Sequence, residues 1–165
     1  MPTTGHCLCR AIQYEYDGEP TLVVHCHCES CRRQTSSSVA TFVIVPKASL
    51  RFTQGQPKEF VSSPSVHRSF CDACGSPIYY RSERRADQID LYAGTLSDPT
   101  AVPARVHVYA VEQLPWFEIL DDLPRYAGSS ITANLLRHGP RRLSVMTGGG
   151  TAGGLNHAIK QRDGA

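Results

Sequence analysis

Seven cysteines carry most of the chemistry open to this 165-residue sequence, and they fall in three tight groups. Cys7 and Cys9 stand in GHCLC, Cys26, Cys28 and Cys31 in CHCESC, and Cys71 and Cys74 in FCDACG. Each group has chelating spacing. A C-x-x-C turn sets two sulfurs about one zinc at Zn–S distances near ~2.3 Å, and the Gly75 that follows can take the positive φ such a knuckle needs. A structural zinc takes four protein ligands, whereas a catalytic zinc takes three and keeps one position open. Seven thiols divide as four plus three. The outer pairs, Cys7, Cys9, Cys71 and Cys74, then close a structural site that ties the start of the chain to its middle. Cys26, Cys28 and Cys31 hold a second zinc with a vacant position.

Two other readings of the triad stand beside this one. His25 or His27 completes a closed Cys3His site, or the three cysteines are buried reduced thiols acting as small hydrophobes. In a strand period both histidines point away from Cys26 and Cys28, which favours them as neighbours over ligands. If the position is open, charge decides the chemistry. Three thiolates and Zn2+ sum to −1, which makes the metal a poor activator of water and a good host for a soft thiol. A thiol ionised there can attack a small aldehyde, and the reverse reaction cleaves the same C–S bond. The expectation is a zinc-dependent carbon–sulfur lyase. The competing class is a non-enzymatic zinc-stabilised binding module in which both metals are staples. A methionine sulfoxide reductase chemistry would need a free nucleophilic cysteine, and four plus three leaves none.

The elements that must position these thiols read as strands. Short apolar or alternating runs from residue 11 to about 110 are broken by turn residues: AIQYEY, TLVVHC, VATFVIV, LRF, EFV, VHRSF, PIYY, QIDLYAG and RVHVYA. Ile12, Tyr14 and Tyr16 alternate as one buried face would, and DGEP, TQGQP, SSPS and SDPT carry turn chemistry. Only CESCRRQTSS (28–37) and VEQLPWFEIL (111–120) could hold a helical turn, and Pro115 limits the second. The fold class expected is mainly β, with few short helical turns. Residues 1–127 form the working domain. The remaining 128–165 hold eight of the thirteen glycines and read as a flexible tail, with one short helix over ITANLLRHG (131–139) and a basic cluster, RHGPRR (137–142).

Composition removes several function classes. The formal charge of +2 counts every cysteine as neutral; with seven thiolates around two Zn2+ it becomes −1, and no dense Lys/Arg stripe suggests nucleic acid. No apolar run approaches the roughly 18 residues of a membrane span, and MPTTGHCLCR has no signal-peptide pattern. The expected compartment is a reducing cytoplasm, where clustered cysteines more often hold metal than form disulfides. Subunit number is open, with a homo-oligomer possible.

GHCLC, CHCESCRR, VPKASLRFTQG, VHRSFCDACGSPIYY, AGTLSDP, and VHVY followed by PWFEILDDLPRY resemble, in order over residues 5–126, the glutathione-dependent formaldehyde-activating family, which includes the domain of centromere protein V. The resemblance implies a small zinc-stapled fold of short hairpins and curled antiparallel sheets, related to methionine-R-sulfoxide reductase B. It implies that Cys7, Cys9, Cys71 and Cys74 bind the structural zinc and that Cys26, Cys28 and Cys31 bind the catalytic one. It implies a glutathione-like thiol and a small aldehyde such as formaldehyde as partners, joined as S-hydroxymethylglutathione. Arg32 and Arg33 could clamp a carboxylate of that thiol. Lys47, Arg68 and His107 lie in matching segments and are further candidates for the pocket, whereas Trp116, between Leu114 and Phe117, reads as packing. The chain departs from the family pattern at Arg10, where Gly is usual, and at QTSSS (34–38), which replaces a Gly-Ser stretch.

Overall fold

A computed structural model of the protein describes residues 1–129 together with Leu135 and Leu136. In chain order the first strands are β1 (Thr3–His6), β2 (Gln13–Tyr16) and β3 (Leu22–Cys26), followed by α1 (Glu29–Thr35), the one α-helix among the described residues. Next come β4 (Ala40–Pro46), β5 (Leu50–Gln54), β6 (Lys58–Ser63), β7 (Val66–Phe70), β8 (Pro77–Ser82) and β9 (Gln88–Tyr92). The described residues end with β10 (Val106–Val108), β11 (Arg125–Tyr126) and β12 (Leu135–Leu136).

These strands make two open sheets: a small one in the order β1-β2-β5, and a large one in the order β12-β11-β10-β3-β4-β9-β8-β7-β6. Register assigns each face of the large sheet a separate task. Val23, Val43, Leu91 and Tyr79 lie across from one another on neighbouring strands. With Ile12, Tyr14 and Tyr16 of the small sheet they bury the main core. Side chains alternate across a strand, so the next residues face the other way. Leu22, Ile44, Asp90, Tyr80 and Arg68 form one transverse row on that second face, and Val24, Phe42 and Tyr92 form another. Burial on both faces explains why β4 is a continuous apolar run.

Each of the nine runs read as strands contains a strand, and 28–37 holds α1. The wholly antiparallel expectation is corrected at one place: β10 runs parallel to both β3 and β11. The chain from β3 to β10 crosses back to lie beside β3, and local sequence does not encode that return. Residues 111–120 form no helix beyond the single 3-10 turn Ala110–Glu112. Trp116 is 72% exposed there, stacked edge-on to Phe117, and so does not pack into the core as read. The helix expected over 131–139 is replaced at Leu135–Leu136 by β12, antiparallel to β11. The rest of that stretch, the basic cluster 137–142 and the glycine-rich residues up to 165 lie outside the described residues. No helix among the described residues is long and apolar enough to cross a membrane.

Candidate functional site

The triad assembles where a strand meets a helix. Cys26 ends β3, Cys28 is the N-cap of α1, and Cys31 sits in its first turn. Cys28 has the extended backbone of an N-cap (φ −61°, ψ 146°), and its sulfur accepts the Cys31 N–H at 3.4 Å. The helix stops at Ser36, whose left-handed backbone returns its N–H to the Arg32 carbonyl. Cys26 and Cys31 are buried and Cys28 is half-buried. The three sulfurs all lie within 4.8 Å of one another, and no histidine among the described residues belongs to the cluster.

The second cluster joins two loops. Cys7 and Cys9 follow β1, Cys71 and Cys74 sit between β7 and β8, and their sulfurs also fall within 4.8 Å of one another. Cys7 and Cys71 are fully buried. Their two knuckles share a design. Arg10 N–H returns to the Cys7 carbonyl at 3.0 Å and Gly75 N–H to the Cys71 carbonyl at 2.8 Å, each residue having positive φ.

Both clusters fit a cation. Tetrahedral Zn–S bonds of ~2.3 Å place sulfurs about 3.8 Å apart, whereas a disulfide needs ~2.05 Å. The observed Cys7–Cys9 and Cys9–Cys71 separations are 3.5 and 3.9 Å. Ionisation within the triad is uneven. Hydrogen bonds from Cys26 and Cys31 pull the Cys28 thiol down to about 2, and the bond to Cys28 pushes Cys26 far above its usual range. Cys31 is pulled down by Cys26 but pushed up by Cys28 and burial, ending at about 11. Three crowded sulfurs sustain one thiolate by themselves; ionising all three takes a metal.

His25 and His27 are engaged elsewhere. His27 Nε2 lies 2.8 Å from His107 Nδ1, and His107 Nε2 lies 2.9 Å from Asp121. A carboxylate only accepts, so His107 donates from Nε2, accepts at Nδ1, and fixes His27 as a donor from Nε2. Burial holds His27 at about 4 and keeps His107 low despite Asp121, so both rings are neutral at pH 7. Asp121 also takes Arg125 at 3.2 Å. This buried chain pins β10 beside β3 and was not foreseen as a unit. The acidic DDLPRY following the histidine strand is the only signal of it. His25 binds Thr41 through Nδ1.

A cavity of about 910 Å3 opens from the triad along the second face of the large sheet. Its floor is Val24, Phe42, Ile44 and Tyr80, with the Arg68 guanidinium reaching over to the cysteine end and Arg84, Arg85 and Asp90 at the other. From the Cys26 row to the Leu22 row is four residues of β3, about 13 Å. Arg85 donates to Asp90 at 2.7 Å, while the second Asp90 oxygen is buried without a partner. Of the polar residues singled out from sequence, only Arg68 lines this cavity. Arg32 is tied to the His27 carbonyl at 2.9 Å, and Arg33 pairs with Glu29 on the exposed side of α1. Both border a shallower recess with Leu114 and Trp116. Lys47 is exposed on the turn after β4, and the His107 ring is enclosed between His27 and Asp121.

Comparison with known proteins agrees with this arrangement. A Schizosaccharomyces pombe protein named an uncharacterized lyase is 36% identical over 76 residues, which are 46% of this chain and 55% of that one. The chain thus spans about half the length of the relative it matches. A solved Rhodobacter sphaeroides protein, 20% identical, superposes with a TM-score of 0.51 over 61% of this chain and 98% of its own, which shows a shared fold. The family model of the glutathione-dependent formaldehyde-activating enzyme matches residues 2–112, a span that includes all seven cysteines and both sulfur clusters. The chain belongs to that family.

Proposed function

We propose that the protein is a zinc-dependent carbon–sulfur lyase that joins a thiol such as glutathione to a small aldehyde such as formaldehyde, or runs that reaction backwards. The observation that carries this reading is the three-sulfur cluster, joined by no histidine among the described residues, at the head of a large cavity. Cys7, Cys9, Cys71 and Cys74 would hold a structural zinc, and Cys26, Cys28 and Cys31 the catalytic one. Zinc at the triad would supply a soft fourth position at which an entering thiol ionises. In the addition, sulfur bonds the aldehyde carbon, the C=O π bond opens, and the thiol proton ends on the aldehyde oxygen.

The cavity supports a peptide-sized thiol. Its reach of about 13 Å equals three to four extended residues. Arg84 at the far end has no acidic partner among the described residues, and it suits a carboxylate there. Leu22, Val24, Phe42 and Ile44 exclude water along the way. The histidines serve the site at one remove: their bonds to each other and to Asp121 hold the Cys26 end of β3 against β10.

Native mass spectrometry with and without glutathione tests the proposal. Two zincs per chain and a bound thiol are expected. Two zincs that never accept a thiol, together with a cobalt-substituted spectrum unresponsive to thiols, would reject the lyase and leave a zinc-stapled binding module.

A further inference from the structure

Arg68 is a charged side chain only 4% exposed. Its bonds are few and specific. Nε donates to Ser62 Oγ at 3.2 Å, Nη1 to the Tyr92 hydroxyl at 3.1 Å, and Nη2 to the Cys31 sulfur at 3.6 Å, while the guanidinium lies 5.2 Å over the Tyr80 ring. None of these partners is a carboxylate. The acid that shares its row, Asp90, is taken by Arg85. A buried cation without a counter-charge is strongly unfavourable, so Arg68 must find its anion in the cysteine cluster.

We propose that Arg68 is the counter-ion of the Cys26–Cys28–Cys31 centre, a positioning residue whose N–H on Cys31 offsets the centre's negative charge so that an anionic thiolate can enter. The inference rests on the reading of the triad as a thiol-accepting zinc site. Three thiolates and a divalent metal carry −1, and a fourth thiolate would make −2. With the guanidinium against Cys31, that sum returns to −1. A hydrogen bond to a coordinating sulfur also draws electron density from it. Such a role differs from the carboxylate clamp that an arginine beside a peptide thiol first suggests. Arg68 reaches the sulfur end of the cavity, and three of its N–H donors are already engaged by protein groups.

Arg68→Met and Arg68→Lys, made in the full chain and loaded with cobalt, test this. The four-cysteine cluster, which takes no arginine among the described residues, serves as an internal reference for folding. Losing one hydrogen bond to a charged group should weaken thiol binding by about tenfold or more. In Arg68→Met the sulfur-to-cobalt band of the triad should shift to lower energy, and mercaptoethanol and glutathione should lose affinity by the same factor. Arg68→Lys, which keeps the charge, should recover much of the affinity. An unshifted band in Arg68→Met overturns the proposal. So does a loss confined to glutathione, which would make Arg68 a carboxylate clamp. If the wild-type spectrum ignores every thiol, the lyase reading fails, while the band shift still judges the contact with Cys31.

Discussion

The two knuckles of the four-cysteine cluster should respond in opposite directions to opposite substitutions. Gly75 has φ +76° and Arg10 has φ +63°. The left-handed conformation costs an L-residue roughly 1–2 kcal/mol, and glycine escapes that cost. A Cβ on Gly75 would meet nothing within 4 Å, so Gly75→Ala adds backbone strain and no clash. Against the strain stands the reduced freedom of the unfolded chain, about 0.4–1 kcal/mol in favour of alanine. The net expectation is a loss of about 1 kcal/mol. Arg10→Gly reverses both contributions and should gain slightly less than about 1 kcal/mol, because Arg10 is exposed and gives up little else. Since the knuckle must form for the sulfurs to converge, 1 kcal/mol corresponds to about fivefold in metal affinity. Chelator competition at the four-cysteine cluster, read beside thermal unfolding of the metal-loaded protein, measures both. Arg10→Ala is the control, since it removes the guanidinium but keeps the Cβ, and it should gain nothing. If Arg10→Gly and Arg10→Ala behave alike, or if Arg10→Gly weakens the metal, backbone strain is not what distinguishes these knuckles.

Other substitutions follow from the same geometry. Gly5→Ala should destabilise the protein by about 3 kcal/mol in denaturant titration, because a Cβ on Gly5 would run into the Tyr14 ring and stand 2.7 Å from the Thr95 carbonyl. Glu59 is held at about 2, first by Arg81 and then by Tyr79 against the cost of burial. A depressed carboxylate contributes stability above its unfolded pKa and loses it as pH falls, so part of the stability should vanish between about pH 5 and pH 2. Glu59→Gln should flatten that limb relative to wild type by up to about 2 kcal/mol, allowing for partial exposure. Lys47→Ala should leave thiol binding to the cobalt protein unchanged, since Lys47 lies outside the cavity lining, and a loss of affinity would show that the thiol follows another path.

What the sequence made legible is what is local. Alternation marks β2 because Tyr14 and Tyr16 fill a core on one side, and turn residues punctuate the strands around it. The division of the cysteines was readable because zinc stoichiometry constrains the count before any fold is known, and both sulfur groups assemble as that count divides them. β1 escaped notice because its buried position is Gly5, which carries no hydrophobic signal. Trp116 misled for a related reason: apolar neighbours suggest packing only where an element holds them together, and residues 113–119 follow no regular element.

Arg68 and His107 show the harder limit. In sequence each is a lone polar residue in a strand, the commonest sign of a solvated face. Their meaning depends on register across several strands. Arg68 stands beside Tyr80, Tyr80 beside Asp90, Asp90 beside Ile44 and Ile44 beside Leu22, so five strands must be aligned before the arginine proves to share a face with the cysteine triad. His107 is opposite His25 only because β10 joins the sheet in parallel, a pairing that no adjacent turn announces. Metal ligands can be counted from spacing, but the groups that set a metal's charge come from other strands and are fixed by tertiary pairing. Within one family, the cysteines therefore mark where a metal could be held, and partners such as Arg68 are where differences in the chemistry of that site should be sought.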